Sequence, residues 1–193
     1  MSAINARPLR YLIPLCAVLA PAAALAHPGH GAGAGFVAGL IHPLTGLDHV
    51  LMIVAVSAWA ALLGPLHRVL VAACLAAFVA AGALLPYTAA AGAGLEAAIA
   101  LTVAGSGMLL ALGRRWPMWA AGLLAGSFAL VHGIAHGAEG PANSALYVPG
   151  LAAATGTLAL AVSFAAARWQ AASGWWRAGG ALTAAAGTAA LFS

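Results

Sequence analysis

Residues 35–64 read GFVAGLIHPLTGLDHVLMIVAVSAWAALLG, an apolar run that is interrupted by HPLTGLDH at residues 42–49. The run exceeds the roughly 20 residues that cross a bilayer as one straight helix. Proline removes a backbone donor and disfavours helix in the residue before it, so we predict a break near Pro43 and Gly46. In lipid, the carbonyls freed by a break need protein or a water-filled cavity beside them. The break is therefore predicted to face the inside of a helix bundle.

The composition is that of an integral membrane protein. Of the 193 residues, 64% are hydrophobic and 5% are charged, and the mean hydropathy is +1.02. Such a chain has too little polar surface for a soluble globule. The net charge of +4 comes from arginines dispersed between apolar runs. This distribution indicates a lipid bilayer as the partner and argues against nucleic acid.

The N-terminal stretch predicts a cleavable secretory signal. Two arginines precede an apolar core at residues 11–20, and the stretch ends in the small-residue tripeptide Ala-Leu-Ala. We therefore expect residues 1–26 to be removed and residues 27–193 to form one mature membrane domain.

Six apolar blocks follow, each near the length of a membrane-spanning helix. They cover residues 35–64, 69–86, 93–112, 117–137, 145–167 and 176–192. We predict an all-α membrane protein with six transmembrane helices, of which the first is broken near Pro43. All basic residues of the mature chain fall in alternate connections, so the positive-inside rule places both mature termini in the periplasm. This topology predicts a protein of the bacterial inner membrane.

The interrupted stretch carries three ionisable residues, His42, Asp48 and His49. An ionisable side chain is costly in hydrocarbon unless it is paired, so a bound cation is an obvious partner. Asp48 could bind a metal ion directly or hold a ligating histidine in one tautomer. The simpler alternative is that Asp48 caps the helix that follows the break, and the two roles are compatible.

A second ionisable set lies in the motif HGIAHGAE. His132, His136 and Glu139 are spaced i, i+4 and i+7, which places them on one face of a helix. Two imidazoles one turn apart can bind a single divalent ion. Gly133 and Gly137 are expected to leave this face uncrowded. The alternative is that these are polar groups at a helix end near the outer interface.

Glu96 is the remaining acidic residue. Helical rise of about 1.5 Å per residue, counted from the arginine at each inner end, places His49, Glu96 and His132 at a common depth in the outer part of the membrane. We predict that three helices bring ionisable groups to this layer. We also expect the first motif, with His42, Asp48 and His49, to face His132 and His136 across an outward-opening cavity, with Glu96 close enough to join through water. Glu96 is then either a contributor to a metal site or a residue of the outer interface.

The two motifs HPLTGLDH and HGIAHGAE resemble those of the HupE/UreJ family of nickel/cobalt permeases, and the similarity covers nearly the whole chain. The resemblance implies that the six ionisable residues of the two motifs are required for transport. It implies secondary or facilitated import of Ni²⁺, or of Co²⁺, from periplasm to cytoplasm for hydrogenase or urease maturation. The ion would be a transported substrate, with no permanently bound cofactor, and a homo-oligomer is compatible with this function.

Two other functions are compatible with histidines inside a membrane protein. The histidines could be axial haem ligands, as in a cytochrome b-like electron-transfer subunit, but two neutral imidazoles would not need acidic neighbours. A membrane metallo-enzyme could use Glu139 as a base toward metal-bound water. The HGIAH spacing lacks the glutamate of an HExxH helix, so a transporter is preferred over an enzyme.

Overall fold

The computed structural model describes residues 35–86, 92–140, 145–169 and 174–192, and the regular structure in these ranges is all helical. The predicted signal peptide lies outside the described residues. In chain order the elements are α1 (Phe36–Ile41), a 3₁₀ turn (His42–Leu44), α2 (Leu47–Leu63), α3 (Pro65–Ala83), α4 (Gly92–Leu112), α5 (Met118–Glu139), α6 (Tyr147–Arg168) and α7 (Gly174–Ala190).

The predicted break in the first apolar stretch is confirmed. The 3₁₀ turn contains Pro43, and the extended Gly46 then starts α2. The segments Phe36–Leu44 and Leu47–Leu63 meet at an angle of 80°. As a result His42 lies in the 3₁₀ turn between α1 and α2, whereas Asp48 and His49 lie in the first turn of α2.

Four helices, α3 to α6, are long and apolar enough to cross a membrane. The bent pair formed by Phe36–Leu44 and Leu47–Leu63 is a fifth span if it counts as one. At 17 residues, α7 is about 25 Å long, somewhat short of the roughly 30 Å hydrocarbon core. By length and composition, the described helices are therefore those of a membrane protein.

The helices approach one another closely where glycines replace larger residues. A Cβ on Gly133 of α5 would collide with the Val79 carbonyl oxygen of α3. In α4 and α7, a Cβ on Gly107 would lie 2.6 Å from the Gly180 carbonyl oxygen. Such close contact supplies the dispersion attraction that holds helices together where lipid provides no hydrophobic drive.

The same contacts correct one expectation about the second motif. Gly133 and Gly137 do not leave the histidine face open, because both face α3, where a Cβ on Gly137 would lie 2.6 Å from the Ala83 carbonyl oxygen. They position α5 against α3, and the histidines project from a different side of the helix.

The short helix α1 packs against the start of α6. A Cβ on Gly39 would collide with the Tyr147 carbonyl oxygen, and one on Gly150 would collide with that of Phe36. This backbone contact fixes α1 beside α6 and so places the adjoining His42 near the end of α5.

The two histidine motifs lie at one end of the bundle, and the arginine-rich connection lies at the other. At the far end of α2, the Trp59 indole donates a hydrogen bond of 3.0 Å to the Arg114 carbonyl oxygen. Helical rise puts Trp59 roughly 16 Å from Asp48 along α2. Gly64 follows α2 with φ of 129°, a conformation that favours glycine, and the chain turns there into α3.

Candidate metal centre

Four histidines contact one another in a row at this end of the bundle. The centroid of the His42 ring is 4.7 Å from that of His136. The His136 ring is 4.1 Å from His49, and the His49 ring is 4.4 Å from His132. The structure thus brings the two motifs together, as the sequence predicted, although metal binding at these residues stays a prediction.

Most of this row is shielded from solvent. His49, His132 and His136 are 6%, 1% and 2% exposed, whereas His42 is half-buried. Burying an imidazole is costly unless its nitrogens find partners, so the bonding of each ring nitrogen decides what the site can do.

The more deeply buried part of the site, here the inner group, consists of Asp48, His49 and His132. Each residue offers one ligand atom, and these atoms lie within 4.8 Å of one another. The His49 Nδ1 donates to Asp48 Oδ1 at 2.9 Å, because an ionised carboxylate can only accept. Its Nε2 is buried and has no hydrogen-bond partner among the described residues. Asp48 thereby leaves this nitrogen available to an ion.

The alternative reading of Asp48 as a helix cap is wrong. The N-cap of α2 is Gly46, and the structure records no side-chain cap there. Asp48 is the second residue of α2, two positions after the N-cap. Its carboxylate is directed to the imidazole of His49 instead.

The more exposed part, here the outer group, consists of His42, His136 and Glu139, whose ligand atoms also lie within 4.8 Å of one another. The His42 Nε2 is 3.2 Å from Glu139 Oε2. The Tyr147 ring stands 5.6 Å from His42, and its buried hydroxyl has no partner within the part of the chain that the structure describes. Sequence reasoning missed Tyr147, since an aromatic residue at the start of an apolar helix looks like packing.

A cavity of about 170 Å³ opens beside the two groups. Its lining residues are His42, Thr45, Gly46, Asp48, His49, Ile99, His136 and Glu139. A water molecule occupies about 30 Å³ in the liquid, so the cavity has room for an ion with part of its hydration shell. The predicted inward-facing break therefore does border a cavity.

Gly46 has a spatial role that the sequence did not show. A Cβ at this position would lie 2.7 Å from His49 Nδ1 and 2.9 Å from Asp48 Oδ1. The backbone there is extended, with φ of −92°, so its conformation does not demand glycine. Glycine is required because the hydrogen-bonded pair occupies the space of a side chain.

Glu96 lies apart from both groups. Its side chain is exposed and lines a second cavity of about 170 Å³, which shares Ile99 and Glu139 with the first. The common depth of His49 and His132 is confirmed by their ring contact. Among the described residues, Glu96 joins neither set of convergent ligand atoms, so its metal binding stays a prediction.

Three buried ring nitrogens of this site lack a hydrogen-bond partner within the described ranges, namely His49 Nε2, His132 Nδ1 and His136 Nδ1. Buried polar atoms in proteins are rarely unpaired, so these nitrogens are available to bind a ligand. Imidazole with a few carboxylates suits Ni²⁺, Co²⁺, Zn²⁺ or Cu²⁺. Mg²⁺ and Ca²⁺ would require more oxygen ligands.

Apolar helices packed around a buried histidine and carboxylate centre define a polytopic membrane protein with a candidate divalent-metal site. The family described as HupE / UreJ protein matches residues 15–190. The chain therefore belongs to the HupE/UreJ family, as its two motifs predicted.

A curated relative agrees with this assignment. Protein HupE of Rhizobium leguminosarum bv. viciae is 42% identical over 143 residues, which cover 73% of this chain and 74% of that protein. No solved structure matches the chain.

Proposed function

We propose that this protein transports Ni²⁺, or Co²⁺, from the periplasm to the cytoplasm by secondary or facilitated transport. The observation that carries the proposal is the row of four contacting histidines, in which Glu139 pairs with His42 and Asp48 pairs with His49. Membership of a transporter family supports transport in preference to catalysis. The transported metal would serve hydrogenase or urease maturation.

The arrangement supports a passage in two steps. An ion from the cavity first meets the outer group, which is more exposed, and then the inner group. Donor atoms that share one ion lie at most about twice the roughly 2.1 Å metal–ligand distance apart. The ligand atoms of each group, within 4.8 Å of one another, need only a small approach to reach this limit.

His136 lies at the junction between the two groups. Its ring contacts His42 of the outer group at 4.7 Å and His49 of the inner group at 4.1 Å. An ion could therefore exchange its ligands one at a time while remaining bound to His136. Stepwise exchange avoids a fully desolvated and unliganded ion inside the membrane.

The proposed topology has six spans after a cleaved signal, with both mature termini in the periplasm of the inner membrane. The helices α3 to α6 and the bent pair α1–α2 supply five spans, and α7 is the sixth. Its shortfall of a few ångströms is within what local bilayer thinning accommodates at modest cost. The exposed Trp175 at its start is suited to the membrane interface.

The geometry supports a metal ion better than the alternative of a haem. A bis-histidine haem needs its macrocycle between two separated imidazoles. Here the four rings contact one another at centroid distances of 4.1 to 4.7 Å, which leaves no space for a macrocycle between them.

Uptake of radiolabelled Ni²⁺ by cells with and without the protein tests the proposal, with unlabelled Co²⁺ as competitor. We expect Asp48→Asn and His49→Ala to reduce accumulation to the level of cells lacking the protein. The first change removes a charge and the second removes a polar ring from the membrane region, so insertion should be retained. Immunoblots of membranes check that the amounts of protein match.

His67→Ala is the matched control, because His67 lies in the first turn of α3, at the end of the bundle opposite the site. It should accumulate Ni²⁺ like the wild type. An effect of His67→Ala equal to that of His49→Ala would contradict the location of the site. Wild-type accumulation no higher than in cells lacking the protein would contradict the function.

A further inference from the structure

One residue outside both motifs makes a direct contact with the inner group. Thr102 of α4 places its Oγ1 2.7 Å from His132 Nε2 and 2.7 Å from the Ile99 carbonyl oxygen. Thr102 is 6% exposed and His132 is 1% exposed. The bond to His132 is therefore shielded from competing water.

The chemistry of the three atoms sets the direction of both bonds. A hydroxyl has one proton and a carbonyl oxygen can only accept, so the Thr102 hydroxyl donates to Ile99. Helical threonines commonly donate to a carbonyl one turn earlier in this way. With its proton committed, Thr102 Oγ1 can only accept from His132. The ring proton of a neutral His132 is therefore on Nε2.

The opposite arrangement leaves a buried donor without an acceptor. If Thr102 donated to Nε2, the ring proton of His132 would lie on Nδ1. That atom is buried and has no hydrogen-bond partner in the portion of the chain that the structure covers. A buried N–H without an acceptor is unfavourable, and here it would also point its proton at an incoming cation.

We infer that Thr102 is a positioning residue, which holds His132 in the Nε2–H tautomer so that Nδ1 faces the ion. The inference rests on the proposed function, in which His132 binds the transported metal. Histidine ligands commonly donate their second N–H to an outer partner that fixes the tautomer. Asp48 has this role for His49, and Thr102 has it for His132.

Uptake measurements with paired variants test the inference. Thr102→Val removes the hydroxyl at nearly constant shape, and Thr102→Ser retains it. Because loss of an outer partner typically weakens metal affinity 10–100-fold, we expect Thr102→Val to raise the Ni²⁺ concentration for half-maximal uptake about tenfold or more. Thr102→Ser should restore the wild-type value.

Thr183→Val is the matched control. Thr183 is also buried, at 8% exposure, and its hydroxyl donates to the Gly179 carbonyl oxygen of its own helix at 3.0 Å. The concentration for half-maximal uptake should not change in this variant. Equal values for Thr102→Val and the wild type would overturn the inference, and so would a Thr102→Ser variant as impaired as Thr102→Val.

A second readout does not depend on transport. Correlation spectra of ¹⁵N,¹³C-histidine in the metal-free full-length protein in lipid distinguish the two nitrogens, since only Nε2 is bonded to Cδ2. Signals lost in His132→Gln identify His132. We expect Nε2–H in the wild type and Thr102→Ser, and a mixture of tautomers in Thr102→Val.

The uptake and tautomer measurements distinguish a failure of this inference from a failure of the proposed function. A wild-type His132 with its proton on Nδ1 would overturn the inference even if Ni²⁺ is transported. Absence of Ni²⁺ uptake by the wild type would instead refute the proposed function, while the spectra would still decide the role of Thr102 in fixing the tautomer.

Discussion

At the scale of single residues, the chemistry of the centre depends on which imidazole nitrogens remain available. Asp48 is hydrogen-bonded to Nδ1 of His49, and Thr102 is hydrogen-bonded to Nε2 of His132. The nitrogens without a partner among the described residues are therefore Nε2 of His49 and Nδ1 of His132. A substitution that moves either partner changes the ligand set without removing any histidine.

Gly46→Ala tests whether the hydrogen bond between Asp48 and His49 depends on Gly46, which is not itself a proposed ligand. Its new methyl group would lie 2.7 Å from His49 Nδ1, well inside van der Waals contact, and would disrupt the bond to Asp48. By analogy with other outer-partner changes, we expect the Ni²⁺ concentration for half-maximal uptake to rise about tenfold or more. Gly94→Ala, where a Cβ meets no atom within 4 Å, should behave as wild type. Equal effects of the two variants would contradict the spatial role of Gly46.

At the scale of elements, backbone contacts position the histidine-bearing segments. α1 lies against α6 through Gly39 and Gly150, and α5 lies against α3 through Gly82 and Gly133. The break between α1 and α2 allows His42 to approach α5 from a direction that a straight helix would not permit. The depth and rotation of α5 place His132 in the inner group and His136 and Glu139 in the outer group.

Gly133→Ala is expected to destabilise the contact between α3 and α5. The added Cβ would collide with the Val79 carbonyl oxygen, and backbone cannot rotate away as a side chain can. Overpacking of this kind costs about 1–3 kcal/mol in the free energy of unfolding. Thermal unfolding in detergent, at one fixed scan rate, should show a lower midpoint than for the wild type.

The control for this change is Gly179→Ala in α7, where a Cβ meets no atom within 4 Å. Its midpoint should match the wild type or exceed it, because alanine favours helix over glycine. Equal unfolding midpoints for Gly133→Ala and Gly179→Ala would contradict the conclusion that the close approach of α3 and α5 stabilises the protein.

At the scale of the whole molecule, the two ends of the bundle differ in charge. One end has Asp48 and Glu139 of the candidate metal centre, near Ala83 at the end of α3. The other end has Arg114 and Arg115 between α4 and α5, close to Trp59. The positive-inside rule assigns the arginine end to the cytoplasm, so the cavity should open to the periplasm.

Cysteine labelling tests this orientation in a variant without Cys16 and Cys74. Leu85→Cys lies just beyond α3 at the site end, and Arg115→Cys lies at the opposite end; both native residues are exposed. A membrane-impermeant maleimide added to spheroplasts should modify only Leu85→Cys, because the bilayer shields the cytoplasmic end. After permeabilisation both should react. The reverse pattern in intact spheroplasts would invert the proposed topology.

The sequence by itself determined the class of protein, the break in the first helix and the family. Hydropathy, the position of Pro43 and the spacing of the two motifs are local properties, which a chain retains whatever its tertiary contacts. Helical periodicity also placed His132, His136 and Glu139 on one face of α5 correctly. The ring contacts between the motifs bear out the prediction that they face each other.

Only the tertiary structure decided which of these residues belong to the inner group and which belong to the outer group. Each group takes members from both motifs, and Glu96 lines a neighbouring cavity, because grouping depends on the rotation of each helix and on its neighbour. Thr102 is 30 positions from His132 in sequence, and an apolar helix gives no sign of such a contact. The proposed tautomer of His132 depends on Thr102 in another helix, so it follows from packing, whereas the partner of His49 is its sequence neighbour Asp48.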